Sequence, residues 1–123
     1  MSPAAILYRS TTDLTRPRVF VTQDEERFNL DKLDEFGKRI TIFTRSTYPD
    51  EVDERMRFMA ERARNIFLRY EYRPDIDYVA IVGDMLGVAV CFMMLGRLGY
   101  HRVVALKYDG KEQAYYPATI QLI

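Results

Sequence analysis

Gly83-Asp84-Met85-Leu86-Gly87 is the segment of this chain whose residue types and spacing are best suited to chemistry. An apolar run precedes it and another follows, so two glycines flank a predicted helix N-terminus. Free backbone N–H groups there hold anions, and a missing Cβ lets a ligand approach. The pattern falls short of a phosphate-binding loop, which needs a lysine, and of a dinucleotide fingerprint, which needs a third glycine. A plainer role, Asp84 capping the helix and Gly83 making the turn, accounts for the same residues. Arg45-Ser46-Thr47, entered from Thr44, supplies a guanidinium and hydroxyls suited to a phosphate, although Ser46 or Thr47 serves equally well as an N-cap.

The other reactive residue types point away from catalysis. His101 is the only histidine, so any serine–histidine or cysteine–histidine machinery would have to pass through it. It precedes a predicted strand, at the end remote from the Gly83 turn. Cys91, the only cysteine, lies among apolar helix neighbours and reads as a small core residue. Asp75, Asp77 and Asp84 lack the spacing of a calcium loop, so no metal and no cofactor is expected. Arg55, Arg62 and Arg69 recur every seven residues, but Glu51, Glu54 and Glu61 lie among them, which describes a solvated ion-pair surface better than a nucleic-acid track.

At 123 residues, 48% hydrophobic and 29% charged, the chain is of a size and composition for one packed domain. Lys plus Arg equals Asp plus Glu at 18 each, so no global field recruits nucleic acid or membrane. Residues 78–96 approach the length of a membrane span, but Gly83-Asp84 interrupts them and the half before the break is β-branched. With one cysteine and no segment resembling a signal peptide, a cytoplasmic setting is expected.

The elements that must position these residues follow from periodicity. Residues 1–16 show no sustained period and read as an irregular arm, leaving 17–123 as the domain. Arg18 to Thr22 is a short strand. Phe28 to Phe36, apolar at 30, 33 and 36, is a helix of about two turns stopped by Gly37. Arg39 to Thr44 alternates as a second strand. Val52, Met56, Met59, Ala63, Ile66 and Tyr70 form one apolar stripe on a helix expected from Pro49 to Tyr72. Tyr78 to Val82 is a third strand, and Asp84 to Leu98 a helix with no solvent-suited face, which must be covered on more than one side. Arg102 to Tyr108 is a fourth strand, turning at Asp109-Gly110 in a type I′ pair into an antiparallel edge strand, Ala114 to Leu122. The order implies a parallel crossover from the third strand to the fourth. The expected fold is α/β: a small Rossmann-like three-layer domain, its sheet mostly parallel with a C-terminal antiparallel strand.

In such sheets ligands sit beyond the carboxyl ends of the parallel strands, where strand order reverses. That nominates Thr22 and Gln23, Thr44 to Thr47, Gly83 and Asp84, and Lys107 to Asp109. Nine tyrosines suit half-buried contact surfaces, and with the uncovered helix they imply a homodimer.

From Tyr78 to Ala118, Val79-Ala80-Ile81-Val82-Gly83-Asp84, the helix with Val90-Cys91-Phe92, the strand ending Tyr108-Asp109, and Tyr115-Tyr116-Pro117 resemble the carboxyl half of small uncharacterised phage and archaeal-virus proteins. More distantly the segment resembles the small CRISPR-associated ring nucleases, Rossmann-like proteins that dimerise and handle cyclic oligoadenylate. The resemblance spans about a third of the chain. Where the nuclease helix has a histidine before Cys-Phe, this chain has Val90, so the resemblance implies nucleotide capture without cleavage by that route. The resulting expectation is a non-catalytic viral protein that binds a nucleotide-like ligand through Thr44, Arg45, Ser46, Thr47, Gly83 and Asp84. The alternatives are a module that docks a host or viral protein and, behind it, a nuclease-like enzyme.

Overall fold

The computed structural model describes residues 17–24, 30–44 and 50–123. The expected arm over 1–16 lies outside the described residues, as do Phe28, Pro49 and the Arg45-Ser46-Thr47 part of the predicted site. Five strands form one mixed sheet in the order β2-β1-β3-β4-β5. They are β1 (Arg18–Gln23), β2 (Lys38–Phe43), β3 (Tyr78–Ala80), β4 (Arg102–Asp109) and β5 (Ala114–Gln121). β1 pairs in parallel with β2 and with β3, β3 pairs in parallel with β4, and β5 returns antiparallel along β4. The chain is therefore α/β, and the crossover read from its sequence is present.

Two α-helices, α1 (Val52–Arg69) and α2 (Met85–Arg97), pack on one face of the sheet, and a 3₁₀ helix (Leu30–Glu35) is the only helix on the other among the described residues. The direction of travel explains the division. From β1 to β2 the chain steps one way across the sheet; from β2 past β1 to β3, and on to β4, it steps the other way. Crossovers of one hand must then lie on opposite faces. On the two-helix face, Met59, Ala63 and Phe67 of α1 and Cys91 and Leu95 of α2 bury against Phe20, Ile42, Val79 and Val103. On the other, Leu30 and Leu33 cover Val19, Val21, Ala80 and Leu106.

Several boundaries differ from expectation for identifiable reasons. The first helix is 3₁₀, a geometry that stacks residues three apart, and its two buried side chains are Leu30 and Leu33. The stripe on α1 is centred on Met59, Ala63 and Phe67; Val52, in the first turn, stays 61% exposed. Glu51 caps this helix, its carboxylate accepting from the N–H groups of Asp53 at 3.0 Å and Glu54 at 2.8 Å. Those bonds hold its pKa below the usual carboxylate value. Both helices end in Schellman turns. Tyr72 N–H donates to Phe67 O across Glu71, which adopts φ +53°, and Tyr100 N–H donates to Leu95 O across Gly99 at φ +93°. The hairpin after β4 is not a two-residue type I′ turn. Residues 110–113 form a four-residue loop, in which Asp109 Oδ1 accepts from Lys111 N–H at 2.9 Å and Gln113 takes the left-handed conformation.

Both outer edges of the sheet are blunted. Leu106 turns its carbonyl to Ile81 N–H of the β3 side, so Pro117 opposite it turns its ring nitrogen, which has no hydrogen, to the open edge of β5. On the β2 edge, Arg62 Nε donates to Ile42 O at 2.6 Å. Arg62 thus secures a strand edge, while Arg55 donates to Asp50 O and Arg69 sits over the Tyr70 ring. The tyrosines expected on contact surfaces include two, Tyr72 and Tyr115, that are buried within the chain.

Candidate ligand site

β1, β2, β3 and β4 run parallel, so their C-terminal ends share one edge of the sheet, and α2 starts there from the turn after β3. The order in which strands are added across the sheet reverses between β1 and β3. Thr22, fully buried, spans that gap: its hydroxyl donates to Val82 O at 2.5 Å and accepts from Val82 N–H at 2.8 Å. Next to it Gln23 Oε1 accepts from Asp84 N–H at 2.8 Å. Gly83, at φ +86°, lies against the Gln23 side chain so closely that a Cβ there would come within 2.7 Å of Gln23 Cβ and Cδ. The crevice between β1 and β3 is thus occupied by the protein's own Gln23.

The open space lies one strand further on. A cavity of about 570 Å³ is lined by Ile81 and Gly83 from the turn after β3, Met85 and Val88 of α2, Lys107 and Tyr108 of β4, and Tyr115 of β5. Its volume is in the range of small-molecule sites, and most of its wall is hydrocarbon or aromatic ring. Lys107 is exposed and makes no ion pair among the described residues. Tyr108 and Tyr115 meet edge to face at 5.2 Å. The Tyr115 hydroxyl is buried with no hydrogen-bond partner among the described residues. Burial first, and Tyr108 second, raise its pKa above the usual tyrosine value, against an opposing pull from Arg39.

The predicted site residues are distributed as follows. Gly83 lines the cavity. Asp84 stands at the N-cap position of α2, exposed, but its side chain makes no capping bond, so the plain capping role is not the one it performs. Thr44 is half-buried beyond the end of β2 and is not among the residues lining the cavity. Ile81, Met85, Val88 and Tyr115 were not anticipated. The hairpin register, which sets Tyr115 opposite Tyr108, was the available signal for the last of them.

His101 is exposed at the far end of β4, and Cys91 is fully buried, burial pushing its thiol pKa well up and keeping it from the thiolate form. Among the described residues no three acidic, histidine or cysteine side chains group as metal ligands, and no helix is long and apolar enough to cross a membrane.

A family profile described as phage Pam3 gp32-like protein matches residues 17–122, the whole sheet and both helices. The chain belongs to the phage Pam3 gp32-like protein family. Of the phage and archaeal-virus proteins that Tyr78 to Ala118 resembles, the match is to a phage family, and it takes in β1, β2 and α1 as well. The likeness to ring nucleases is not part of that match. No curated protein and no solved structure matches the chain.

Proposed function

We propose that this gp32-like protein is a non-catalytic binding protein of the infected host's cytoplasm whose ligand is a small nucleotide-like anion. The observation that carries the reading is the cavity beside Gly83, where apolar and aromatic walls from α2, β4 and β5 meet one uncompensated cation, Lys107. A planar ring fits between Met85, Val88 and the two tyrosines, and an anionic group would reach Lys107 and the first-turn amides of α2. Gly83 and Asp84, at the turn after β3, would supply the rest of the polar side. Asp84 opposes a highly charged ligand, which favours one phosphate over several.

A thermal-shift panel of linear and cyclic nucleotides, nucleosides and inorganic phosphate at 1 mM tests this. A ligand with Kd about 10 μM contributes about 2.7 kcal/mol at that excess and raises Tm by several degrees. No shift with any nucleotide sinks the reading. A second reading, a module that docks another protein, is favoured by the exposed apolar face of α2, where Met85 is 81% and Leu86 and Met93 are each 42% exposed.

A further inference from the structure

The outward face of α2 reads the same in both directions. Met85, Ala89 and Met93 stand at intervals of four and are all exposed, so they form one ridge of large, small and large side chains with Ala89 at its centre. Leu86 flanks the ridge, and no charge interrupts it between Asp84 before the helix and Arg97 at its end. Those two residues are exposed, opposite in sign, and without an ion pair among the described residues.

We infer that this ridge is the contact of a two-fold homodimer, in which α2 packs antiparallel against α2 of a second copy. A two-fold contact must be self-complementary, and a ridge symmetric about its middle residue meets that condition without further design. Ala89 lies on the axis facing the partner's Ala89, and Met85 packs against the partner's Met93. The same arrangement carries Asp84 toward the partner's Arg97. The remaining stagger is three residues, about 4.5 Å along the helix, which an arginine side chain spans. A different protein would have no reason to match this symmetry, and the chain's net charge of zero sets no repulsion between copies. The contact also supplies the second cover that an all-apolar α2 demands. It does not depend on the ligand proposed above.

Two helices packed 8–10 Å apart bring facing Cα atoms within disulfide range, so Ala89→Cys should cross-link to a dimer under mild oxidation in the full chain. Cys91, fully buried, gives no background, and Gly110→Cys in the hairpin loop is the control. Sedimentation equilibrium should give twice 14.5 kDa for the unmodified protein and 14.5 kDa for Met93→Glu, with an unchanged circular dichroism spectrum. Asp84→Arg should weaken the dimer about tenfold, and adding Arg97→Asp should restore it. A monomer at 100 μM, a dimer that survives Met93→Glu, or Ala89→Cys linking no faster than Gly110→Cys overturns the inference.

Discussion

The two ends of the sheet are built on opposite terms. At the N-terminal end β1, the end of α1 and the start of β3 are tied together by buried and half-buried polar bonds. Asp77, 2% exposed, accepts from Arg18 N–H at 3.0 Å and Arg73 N–H at 2.9 Å and pairs with the Arg18 guanidinium at 3.3 Å. Arg18 also donates to Glu71 O, so the start of β1, the end of α1 and the start of β3 meet in one network. The two Schellman turns deliver Tyr72 and Tyr100 to the same place, their rings edge to face at 5.1 Å, with Tyr100 Oη donating to Tyr72 O. At the C-terminal end Thr22 and Gln23 bridge β1 to the turn after β3, the start of α2 has no side-chain cap, and a cavity stands open. One end is the more heavily cross-bonded, and the other holds the cavity.

The largest expected effect lies at the cross-bonded end. Asp77→Ala leaves the buried Arg18 guanidinium without its counter-charge and should cost about 3–5 kcal/mol in urea unfolding. Asp84→Ala, the carboxylate of the open end, should change stability by less than about 0.5 kcal/mol. Equal losses would erase the distinction.

A pair of glycines sharpens it. A Cβ on Gly37, at φ +154°, would run into the backbone carbonyl of Pro17, which is held by β1, whereas a Cβ on Gly83 would meet Gln23, whose Oε1 and Cδ can swing away but whose Cβ, at 2.7 Å, is fixed by the β1 backbone. Both substitutions should therefore cost more than about 1–3 kcal/mol, the range for a strained backbone conformation alone, with Gly37→Ala, which meets only backbone, the costlier of the two. Combining Gly83→Ala with Gln23→Ala should cost less than the sum of the two, measured as a double-mutant cycle.

Alkaline pH should loosen the cross-bonded end first. Burial raises the pKa of Tyr72, and that of Tyr100, above the usual tyrosine value of 10.0, with Asp77 adding to the shift in both. Folding keeps those protons on when the unfolded chain has begun to lose them. Their contribution is complete below the unfolded value and declines as pH rises above it toward the raised folded values. Unfolding free energy should be level from neutral pH to about 9 and fall beyond 10. Tyr100→Phe should make the fall shallower; an unchanged slope contradicts the assignment. A small effect is also expected of Tyr115→Phe, which removes a buried hydroxyl lacking a partner among the described residues. Its stability should hold within about 1 kcal/mol, so any change in ligand affinity reports on the cavity alone.

How much of this was legible in the sequence follows the range of the interactions. The parallel crossover, the Gly99 stop of α2 and the edge position of Pro117 are local patterns, and they were readable. Glu71 ends α1 in a conformation that glycine would have announced and glutamate does not. Arg18 and Asp77 stand 59 residues apart, and nothing near either one betrays the pair. At the strand ends, the Gly83-Asp84 turn and the helix start after it were readable as local structure. The closing of the crevice by Gln23 was not, because it depends on a side-chain rotamer across two strands, and it moved the open space toward Lys107.

An amide and methyl NMR titration with a nucleoside monophosphate tests the central claim most directly. Shifts concentrated on Ile81, Gly83, Met85, Val88, Lys107, Tyr108 and Tyr115, with affinity reduced about tenfold in Lys107→Ala, are the predicted result. A spectrum that does not move at millimolar ligand, or shifts gathered on Phe58, Arg62 and Arg69 of α1, would contradict it.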